Sequence, residues 1–481
     1  MQFFEIPLAV VAFAWAARSL RTGRVYEPES WLMGLLLCVL LLLHAGVEGY
    51  RWQMIPVYGV ALGALALMAP RFVGGAERAA DPTPGARLAG VAGLLLTGVG
   101  ATAAYLLPVP ALPAPGGPYK VGSSVYVWED DSRETVYAGG ETGPRKIVAQ
   151  IWYPASPAKS SKRMAWMHRT DEVGPAIAGF FGLPKFILNH LNLVQLNAWE
   201  DAPIAETAGK MPVIVYSHGW RGFRVVNADQ LESLASHGYA VVSLDHLHGA
   251  MGTVFPDGTV EPLHPDLMPK DTGDAVYQAG IERLVDMYAD DLSFVLDRLA
   301  GLANGKLDAR FKDRLDLDRV GLFGHSTGGG AVVEVCARDP RCKACFGQDI
   351  WIEPVSDDVF AASFDKPLLM MNSESWSTGD NRDKQQIFFD RATGDKRLLS
   401  VVGSNHNDFV MTGLFSPLAG TLGMKGPIDG ARMMEINREY LRAFFDLYLC
   451  GKPAPLLEDE AAFPEVRREG GATALAAASG T

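Results

Sequence analysis

Residues 320–331 read VGLFGHSTGGGA, and this stretch decides the fold. Its first four residues form a short apolar run typical of a buried strand, and an apolar helical pattern follows its last residue. Residues 324–328 have the spacing G-x-S-x-G, in which small residues on both sides of the serine permit a strained turn from strand to helix and leave the hydroxyl exposed. We therefore expect Ser326 to be a nucleophile. A glycine-rich helix start capped by the serine is the structural alternative.

Short apolar runs elsewhere predict the sheet to which this turn belongs. Residues 212–217, 239–244, 367–372 and 398–402 are short, mostly apolar runs, three of which contain β-branched side chains, and residues 275–300 have helical periodicity. Buried strands that alternate with helices are typical of a mostly parallel sheet with helices on both faces. The predicted fold class is therefore α/β.

A serine nucleophile needs a base, and one histidine is in position to supply it. With this strand-turn-helix motif the order along the chain is serine, acid, histidine. The chain has ten histidines, and His406 alone lies beyond Ser326. It occupies a turn-rich loop, residues 403–408, directly after a predicted strand. We therefore predict that His406 is the base.

Two carboxylates could orient this histidine. Asp349 follows the short apolar run 344–347, one strand after the nucleophile, and Glu374 follows the next run, 367–373. Either carboxylate could accept a hydrogen bond from the imidazole Nδ1 and hold its tautomer. The residue pattern alone leaves the acid open between them.

The expected oxyanion hole combines two backbone N–H groups. One belongs to the residue after the nucleophile, Thr327, and the other comes from the loop after an early strand. Residues 217–220, SHGW, occupy that loop, which assigns Trp220. His218 in the same loop is interpreted as a structural imidazole that braces it.

The sequence predicts neither a metal site nor a cofactor. His246 and His248 have the alternate spacing of a metal-ligand pair, but no second cluster of His or Asp lies near them, and the cysteines lack the paired C-x-x-C spacing of a zinc site. In an oxidising compartment Cys336 and Cys342 could form a small-loop disulfide. Free buried thiols are the alternative.

The overall composition excludes two classes of protein. Lys and Arg number 43 against 55 Asp and Glu, and the net charge of −12 argues against a nucleic-acid binder, whose affinity rests on clustered positive charge. A hydrophobic content of 48% with 20% charged residues excludes a disordered chain. The mean hydropathy of +0.08 is high for a soluble enzyme, and the excess lies in the first quarter of the chain.

Residues 1–107 are predicted to be a transmembrane region of about four helices. The stretches 31–47, 52–70 and 88–115 carry no charge, and 3–17 carries only Glu5. A cleaved signal peptide and buried helices of a soluble domain are the alternatives. Because Arg residues are concentrated in the first and third connections, both ends of the region should face outward. We therefore expect a multi-pass protein of the cell membrane with its catalytic domain outside the cytoplasm.

The remaining chain is predicted to contain a Pro-rich linker at 108–118, an α/β domain at 119–455 and a flexible tail at 456–481. Within that domain, residues 164–200 form an insert with apolar residues at helical spacing. The insert could be a lid or interfacial surface, or ordinary core packing. The residues assigned to substrate or lid contacts are Phe180, Phe181, Phe186, Trp351 and Phe409.

Several motifs together resemble the platelet-activating factor acetylhydrolases of the plasma and type II class. The similarity covers roughly residues 117–452 and leaves the first quarter of the chain uncovered. The motifs are YSHGWRGFR at 216–224, LASHGYAVVSLDH at 234–246, GHSTGG at 324–329, QDIWIEP at 348–354, SESW at 373–376 and GSNHNDF at 403–409.

This resemblance implies an α/β-hydrolase fold with Ser326 as nucleophile and His406 as base. It places the acid in the QDIW stretch, at Asp349, and implies Trp220 and Thr327 as oxyanion donors. These last two stand where the family commonly has Leu and Phe, which alters the wall of the pocket.

The implied activity is calcium-independent hydrolysis of short or oxidised acyl chains from phospholipid, as in a 1-alkyl-2-acetylglycerophosphocholine esterase. The expected partners are an ester or phospholipid substrate and the bilayer, without nucleic acid. One rival interpretation is a cutinase-like or dienelactone-hydrolase-like carboxylesterase that acts on other esters. Another is a catalytically silent membrane sensor or scaffold, although such a module has no need of an intact Ser, Asp and His in this order.

Overall fold

The computed structural model describes residues 1–25, 27–73, 81–167, 169–180, 182–376, 379–459 and 461–469. These residues divide into two compact units. Unit 1 comprises residues 1–111, 186–194 and 414–419, and unit 2 comprises the other described residues from Leu112 onward.

Unit 1 is built from four helices whose ends follow local sequence signals. They are α1 (Glu5–Thr22), α2 (Pro28–Leu43), α3 (Ile55–Val73) and α4 (Pro84–Leu106). α1 ends at Gly23 in the left-handed conformation, and α2 and α4 begin at prolines, which fit the first turn of a helix. The backbones of α1 and α4 approach closely at Gly90, where a Cβ atom would lie 2.4 Å from the Leu20 nitrogen.

In the described residues two helices are long and apolar enough to cross a bilayer, Pro28–Glu48 and Pro84–Leu106. The prediction of four transmembrane helices is therefore corrected to two candidates. α1 does not qualify because its 18 residues include three charged side chains. The described apolar part of the third helix, Trp52–Leu67, is too short.

Several polar side chains are buried inside unit 1, and many large apolar side chains of α2 and α4 are exposed. Arg51 and Glu5 form an ion pair of 2.6 Å with both side chains fully buried, and the His44 ring contacts Tyr58 at 2.6 Å. Buried charged pairs together with exposed apolar side chains are typical of helices surrounded by lipid. The exposed apolar residues of α2 and α4 are Leu32, Leu35, Leu36, Val39, Leu42, Leu43, Leu88, Val91, Leu95, Leu96, Val99 and Tyr105.

The strands of unit 2 alternate with its helices along most of the chain. The described strands are β1 (Lys120–Val136), β2 (Thr142–Ala155), β3 (Arg163–Ala165), β4 (Gln195–Glu200), β5 (Met211–Ser217), β6 (Ala240–Asp245), β7 (Gly252–Val254), β8 (Val260–Pro262), β9 (Leu315–His325), β10 (Cys342–Gln348), β11 (Leu368–Ser373), β12 (Lys396–Val401) and β13 (Val466–Glu469). The helices are α5 (Thr170–Phe180), α6 (Ala228–Ser236), α7 (Ala275–Ala303), α8 (Thr327–Arg338), α9 (Asp357–Ala361), α10 (Asp380–Arg391) and α11 (Gly430–Cys450).

Eleven of these strands form one sheet in the order β13-β12-β11-β10-β9-β5-β6-β2-β1-β4-β3, and β7 and β8 form a separate hairpin. The six strands from β12 to β6 are parallel to one another, and β1 is parallel to β4. The pairs β12 with β13, β6 with β2, β2 with β1 and β4 with β3 are antiparallel. The prediction of an α/β fold with a mostly parallel sheet is confirmed.

Helices cover both faces of this sheet. Successive side chains of a strand point to opposite faces. In β9, Leu322 lies in the large buried cluster that includes side chains of α7 and α8, whereas the Phe323 ring packs 6.3 Å from the Phe445 ring of α11. Gly321 of β9 shares a face with Phe323, and a Cβ atom on Gly321 would lie 2.4 Å from the Phe445 ring. Tight packing of α11 therefore explains this glycine.

Two predicted segments differ from the structure. The insert at 164–200 is divided, because β4 pairs with β1 in the sheet whereas residues 186–194 group with unit 1. Residues 466–469, within the tail expected to be flexible, form β13, which pairs with β12. The part of the tail from residue 470 onward lies outside the described residues.

A disulfide bond joins Cys336 and Cys342. Cys336 lies in the last turn of α8 and Cys342 begins β10. Of the two possibilities that the sequence left open for this pair, a disulfide and free thiols, the structure has the disulfide. Cys345 is a buried free thiol, and burial raises its pKa to about 12.

Candidate active site

Ser326 occupies a strained turn between β9 and α8. Its backbone has φ 56° and ψ −123°, a combination that side-chain-bearing residues rarely adopt and that clusters at functional sites. A Cβ atom on Gly324 would lie 2.4 Å from the carbonyl oxygen of Gly328. Gly324 is therefore required by the turn itself, as the G-x-S-x-G spacing predicts, whereas Gly328 permits the close approach of the Ser217 and His218 carbonyls.

The end of β10 lies against this turn. The Ser326 backbone N–H donates to the Gln348 carbonyl at 3.0 Å, and the Trp351 N–H donates to the Ser326 carbonyl at 3.1 Å. Asp349, between these two partners, has a positive φ of 44°. The strained backbone at both positions keeps the candidate nucleophile and the candidate acid on adjacent turns at the carboxyl edge of the sheet.

Asp349 contacts His406. Its Oδ2 atom lies 3.0 Å from Nδ1 of the imidazole. Ser373 holds the carboxylate in place, because its N–H donates to Oδ1 at 2.5 Å and its hydroxyl donates to Oδ2 at 2.6 Å. A carboxylate can only accept, so Nδ1 carries the proton and Nε2 remains as the acceptor. Asp349 is fully buried, whereas the His406 side chain is 29% exposed.

Glu374, the other carboxylate that the sequence left open, has a different partner. It is exposed, and its Oε2 atom accepts a hydrogen bond from the Gly403 N–H at 2.7 Å. Gly403 begins the loop that carries His406. Glu374 therefore contacts the backbone of this loop, while Asp349 contacts the imidazole.

The His406 ring contacts two aromatic rings that the sequence reasoning missed. The Trp376 indole stacks on it at 4.2 Å with an interplanar angle of 16°, and the His325 ring lies 4.4 Å away. The indole N–H of Trp376 donates to the Ile350 carbonyl at 3.1 Å, which fixes the indole. Trp376 belongs to SESW and His325 to GHSTGG, but neither motif by itself indicates a contact with His406.

The loop after His406 is held from inside the protein. Asn405 and Asp408 form a reciprocal capping arrangement around the short helical turn His406–Phe409. The Phe409 carbonyl accepts hydrogen bonds from the Asn227 and Gln230 side chains of the α6 region at 3.1 and 2.8 Å. Phe409 itself is fully buried, so it packs in the core and does not form part of an exposed lid.

The loop expected to supply the second oxyanion donor lies against the nucleophile turn. A Cβ atom on Gly219 would lie 2.9 Å from the Ser326 Cβ, and one on Gly328 would lie 2.3 Å from the Ser217 carbonyl oxygen. Trp220 follows Gly219 directly, and Thr327 is the first residue of α8. The two assigned N–H groups therefore belong to the two segments that adjoin Ser326.

Of the remaining residues assigned to substrate contacts, Trp351 adjoins the nucleophile turn, because its backbone N–H donates to the Ser326 carbonyl. Phe186 groups with unit 1, where its half-exposed ring packs edge-on against Trp52 at 5.1 Å. The side chain of Phe180 and the whole of Phe181 lie outside the described residues. Trp351 is partly buried, and its indole N–H contacts Glu353 at 3.3 Å.

The described part of the chain holds no cluster of three or more His, Cys, Asp or Glu side chains that could bind a metal ion. His248 lies 3.6 Å from Glu261, and His246 is engaged with Ser217 and Asp291. His246 and His248 therefore contact different side chains and do not point to a shared ligand.

Comparison with known proteins adds four similarities. A model of the family described as platelet-activating factor acetylhydrolase, isoform II, matches residues 108–268 and 297–451. The chain is 25% identical to platelet-activating factor acetylhydrolase of Cavia porcellus (74% of this chain, 80% of that protein), and 22% identical to a probable 1-alkyl-2-acetylglycerophosphocholine esterase of Arthroderma benhamiae (74% and 92%). The solved structure of a ferulic acid esterase from Streptomyces cinnamoneus matches with a TM-score of 0.62 and 27% identity, over 76% of this chain and all of that chain.

Proposed function

The chain belongs to the platelet-activating factor acetylhydrolase isoform II family of carboxylic ester hydrolases, and from this premise we propose that it cleaves short or oxidised acyl esters of phospholipid through Ser326, His406 and Asp349. The observation that carries this proposal is the contact of His406 Nδ1 with the buried Asp349 carboxylate, beside a serine in a strained strand-to-helix turn. These are the geometric features by which such a triad is recognised.

The reaction proceeds through an acyl-enzyme. Ser326 Oγ attacks the ester carbonyl while His406 Nε2 accepts its proton, and Asp349 stabilises the imidazolium that forms. The N–H groups of Trp220 and Thr327 donate to the oxyanion of the tetrahedral intermediate. His406 then returns the proton to the leaving alcohol. Water, activated by the same imidazole, attacks the acyl-serine and releases the carboxylic acid.

A second candidate substrate class is a soluble aromatic ester, a version of the rival carboxylesterase interpretation. It is favoured by the structural similarity to an enzyme described as a ferulic acid esterase. The Trp376 indole over His406 offers an aromatic surface beside the base, on which a planar acyl group could stack. The phospholipid proposal is preferred because the names of the matched family and of the two relatives above specify platelet-activating factor or a 1-alkyl-2-acetylglycerophosphocholine, both of them phospholipid esters.

Unit 1 is proposed to attach the enzyme to a membrane. The outward apolar faces of α2 and α4 support this role, since exposed side chains of this size and number are costly in water. The distribution of Arg over the connecting segments favours a catalytic unit outside the cytoplasm. Attachment to the bilayer would raise the effective concentration of a lipid substrate near Ser326.

The test is a comparison of turnover by the full chain in mixed micelles. The substrates are 2-acetyl, 2-octanoyl and 2-palmitoyl glycerophosphocholines and methyl ferulate, with the Ser326→Ala variant as control. We expect the acetyl lipid to be cleaved fastest and the palmitoyl lipid slowest. Preference for methyl ferulate would favour the second substrate class, and no turnover of any ester would favour the silent scaffold.

A further inference from the structure

A second serine-histidine-aspartate chain is buried beside the candidate active site. Ser217 Oγ lies 2.9 Å from Nε2 of His246, and Nδ1 of the same ring lies 3.0 Å from Asp291 Oδ2. Ser217 ends β5, His246 follows β6, and Asp291 lies in α7. All three side chains are fully buried, so Ser217 is inaccessible to substrate and is not a second nucleophile.

Neighbouring groups determine the charge of Asp291 and the tautomer of His246. Arg145 makes two hydrogen bonds to Asp291, at 2.6 and 2.7 Å, and although burial opposes ionisation the Arg145 guanidinium holds the pKa of Asp291 below its usual value. Burial lowers the pKa of His246, so its ring is neutral. Because the carboxylate only accepts, Nδ1 carries the ring proton, and Nε2 accepts from the Ser217 hydroxyl.

His218 extends the network into the oxyanion loop. Its Nε2 accepts from the His246 main-chain N–H at 3.2 Å, and its Nδ1 donates to the Gly219 carbonyl at 2.7 Å. Burial lowers the pKa of His218 to about 3, which keeps this ring neutral. Ser217 is therefore hydrogen-bonded to the His246 ring, and the Gly219 carbonyl is connected to the His246 backbone through His218. The Trp220 N–H belongs to the same peptide group as this carbonyl.

The loop has little freedom on its other side, because its backbone touches the nucleophile turn. The Ser217 and His218 carbonyl oxygens would lie 2.3 and 2.5 Å from a Cβ atom placed on Gly328. A change in the hydrogen bonds behind the loop is therefore transmitted to the position of Trp220 relative to Ser326. A fully satisfied buried polar network rigidifies its surroundings.

We propose that Ser217, His246 and Asp291 are positioning residues that fix the Trp220 N–H in the oxyanion hole. This inference rests on the proposed function of Ser326. Its physical basis is that donors held in place before the reaction incur no reorganisation as charge develops on the oxygen. The network acts on the transition state through the loop, without touching the substrate.

The first test is Ser217→Ala, which deletes one hydroxyl. We expect kcat for p-nitrophenyl acetate to fall about 10- to 100-fold, since a displacement of about 1 Å can cost about 100-fold, with KM nearly unchanged. Affinity for a trifluoromethyl ketone, which forms a tetrahedral adduct with the serine, should fall by the same factor. The matched control is Ser124→Ala, another buried serine, hydrogen-bonded to Tyr153 at 3.0 Å, which should leave both quantities unchanged.

Two substitutions of His246 distinguish the contribution of its hydrogen bond to Ser217 from that of its hydrogen bond to Asp291. The amide of His246→Gln can reach the position of Nε2 and accept from Ser217, whereas that of His246→Asn reaches only the position of Nδ1, beside Asp291. We expect the Gln variant to retain more kcat than the Asn variant. The double variant Ser217→Ala with His246→Asn should be no slower than the slower single variant, because both remove the same hydrogen bond.

Unchanged kcat in Ser217→Ala would overturn the proposal. So would a loss of kcat accompanied by a lower melting temperature and a raised KM but unchanged affinity for the ketone, because that combination indicates a merely structural role. Failure of the proposed function would look different: the unaltered chain would show no ester turnover that Ser326→Ala removes, and the positioning role would fall with it.

Discussion

The main-chain carbonyl of His406 lies 3.0 Å from Nε2 of His325, the residue directly before Ser326, and the two rings are 4.4 Å apart. Burial lowers the pKa of His325 well below its usual value, so the ring is neutral and its Nε2–H donates to this carbonyl. The loop that carries the candidate base is thereby tied to the turn that carries the candidate nucleophile.

Removal of this tie should slow the chemistry. We expect His325→Ala to lower kcat about 10- to 100-fold, because the base is no longer held at a fixed position relative to the serine. His325→Gln can place an amide N–H near the position of Nε2 and should recover part of the rate. Steady-state kinetics of both variants on p-nitrophenyl acetate measure this, and equal kcat in the wild type and His325→Ala would contradict it.

Substitution of the two candidate acids should rank them. Asp349→Asn removes the carboxylate that orients Nδ1 of His406, and an equivalent change in a well-studied triad lowers kcat by about 10⁴. Glu374→Gln affects only an exposed hydrogen bond to the Gly403 N–H and should change kcat by less than about tenfold. Parallel measurement of kcat decides between them, and the reverse order would assign the acid to Glu374.

The buried carboxyl of Asp229 should make stability depend on pH. Burial raises its pKa from 3.8 to about 7, and its Oδ2 has no hydrogen-bond partner within the described structure. Because the folded chain binds this proton more tightly than the unfolded chain, the contribution of Asp229 to stability falls as the pH rises from about 4 to 7. Asp229→Asn should therefore stabilise the protein at pH 8, by at most about 4 kcal/mol, and not at pH 4.

Melting temperatures at pH 4 and pH 8 test this expectation. The control is Asp297→Asn, which alters an exposed aspartate of α7. A gain that is the same at both pH values, or one that the control also produces, would show that burial of the Asp229 carboxylate is not its cause.

The disulfide between Cys336 and Cys342 should stabilise the fold by restricting the unfolded chain. For a loop of this length the expected contribution is about 2 kcal/mol. Cys336→Ser with Cys342→Ser should lower the melting temperature by a few degrees, as should a reductant acting on the wild type. Cys450→Ser, a change at a free cysteine, is the control. A reductant without effect on the wild type would contradict the bond.

The sequence predicts the sheet and its central turn because their signals are local. The apolar run, the two glycines around Ser326 and the position of His406 after a strand are all determined within a few residues. The choice between Asp349 and Glu374 depends on which strand end faces the imidazole, and this is set by sheet geometry that no short segment encodes. The roles of these residues stay predictions, although the structure brings Asp349 to His406.

Other features depended on contacts between distant segments. Trp376 and His325 pack on His406 only after three strands have assembled, so neither could be identified from local pattern. Stretches of low charge overstate the number of membrane helices, because they do not show where each helix begins and ends. α1 includes charged side chains at both ends, among them Glu5, which is buried against Arg51.

The most direct test of the account is to identify the residue that reacts with a fluorophosphonate probe. The full chain is labelled in detergent, digested and analysed by mass spectrometry, in parallel with Ser326→Ala and with the buried-serine variant Ser124→Ala. We expect one labelled peptide that carries the probe on Ser326, loss of label and a fall in kcat of at least about 10⁴ in Ser326→Ala, and unchanged labelling in Ser124→Ala. Labelling of another residue, with turnover retained in Ser326→Ala, would contradict it.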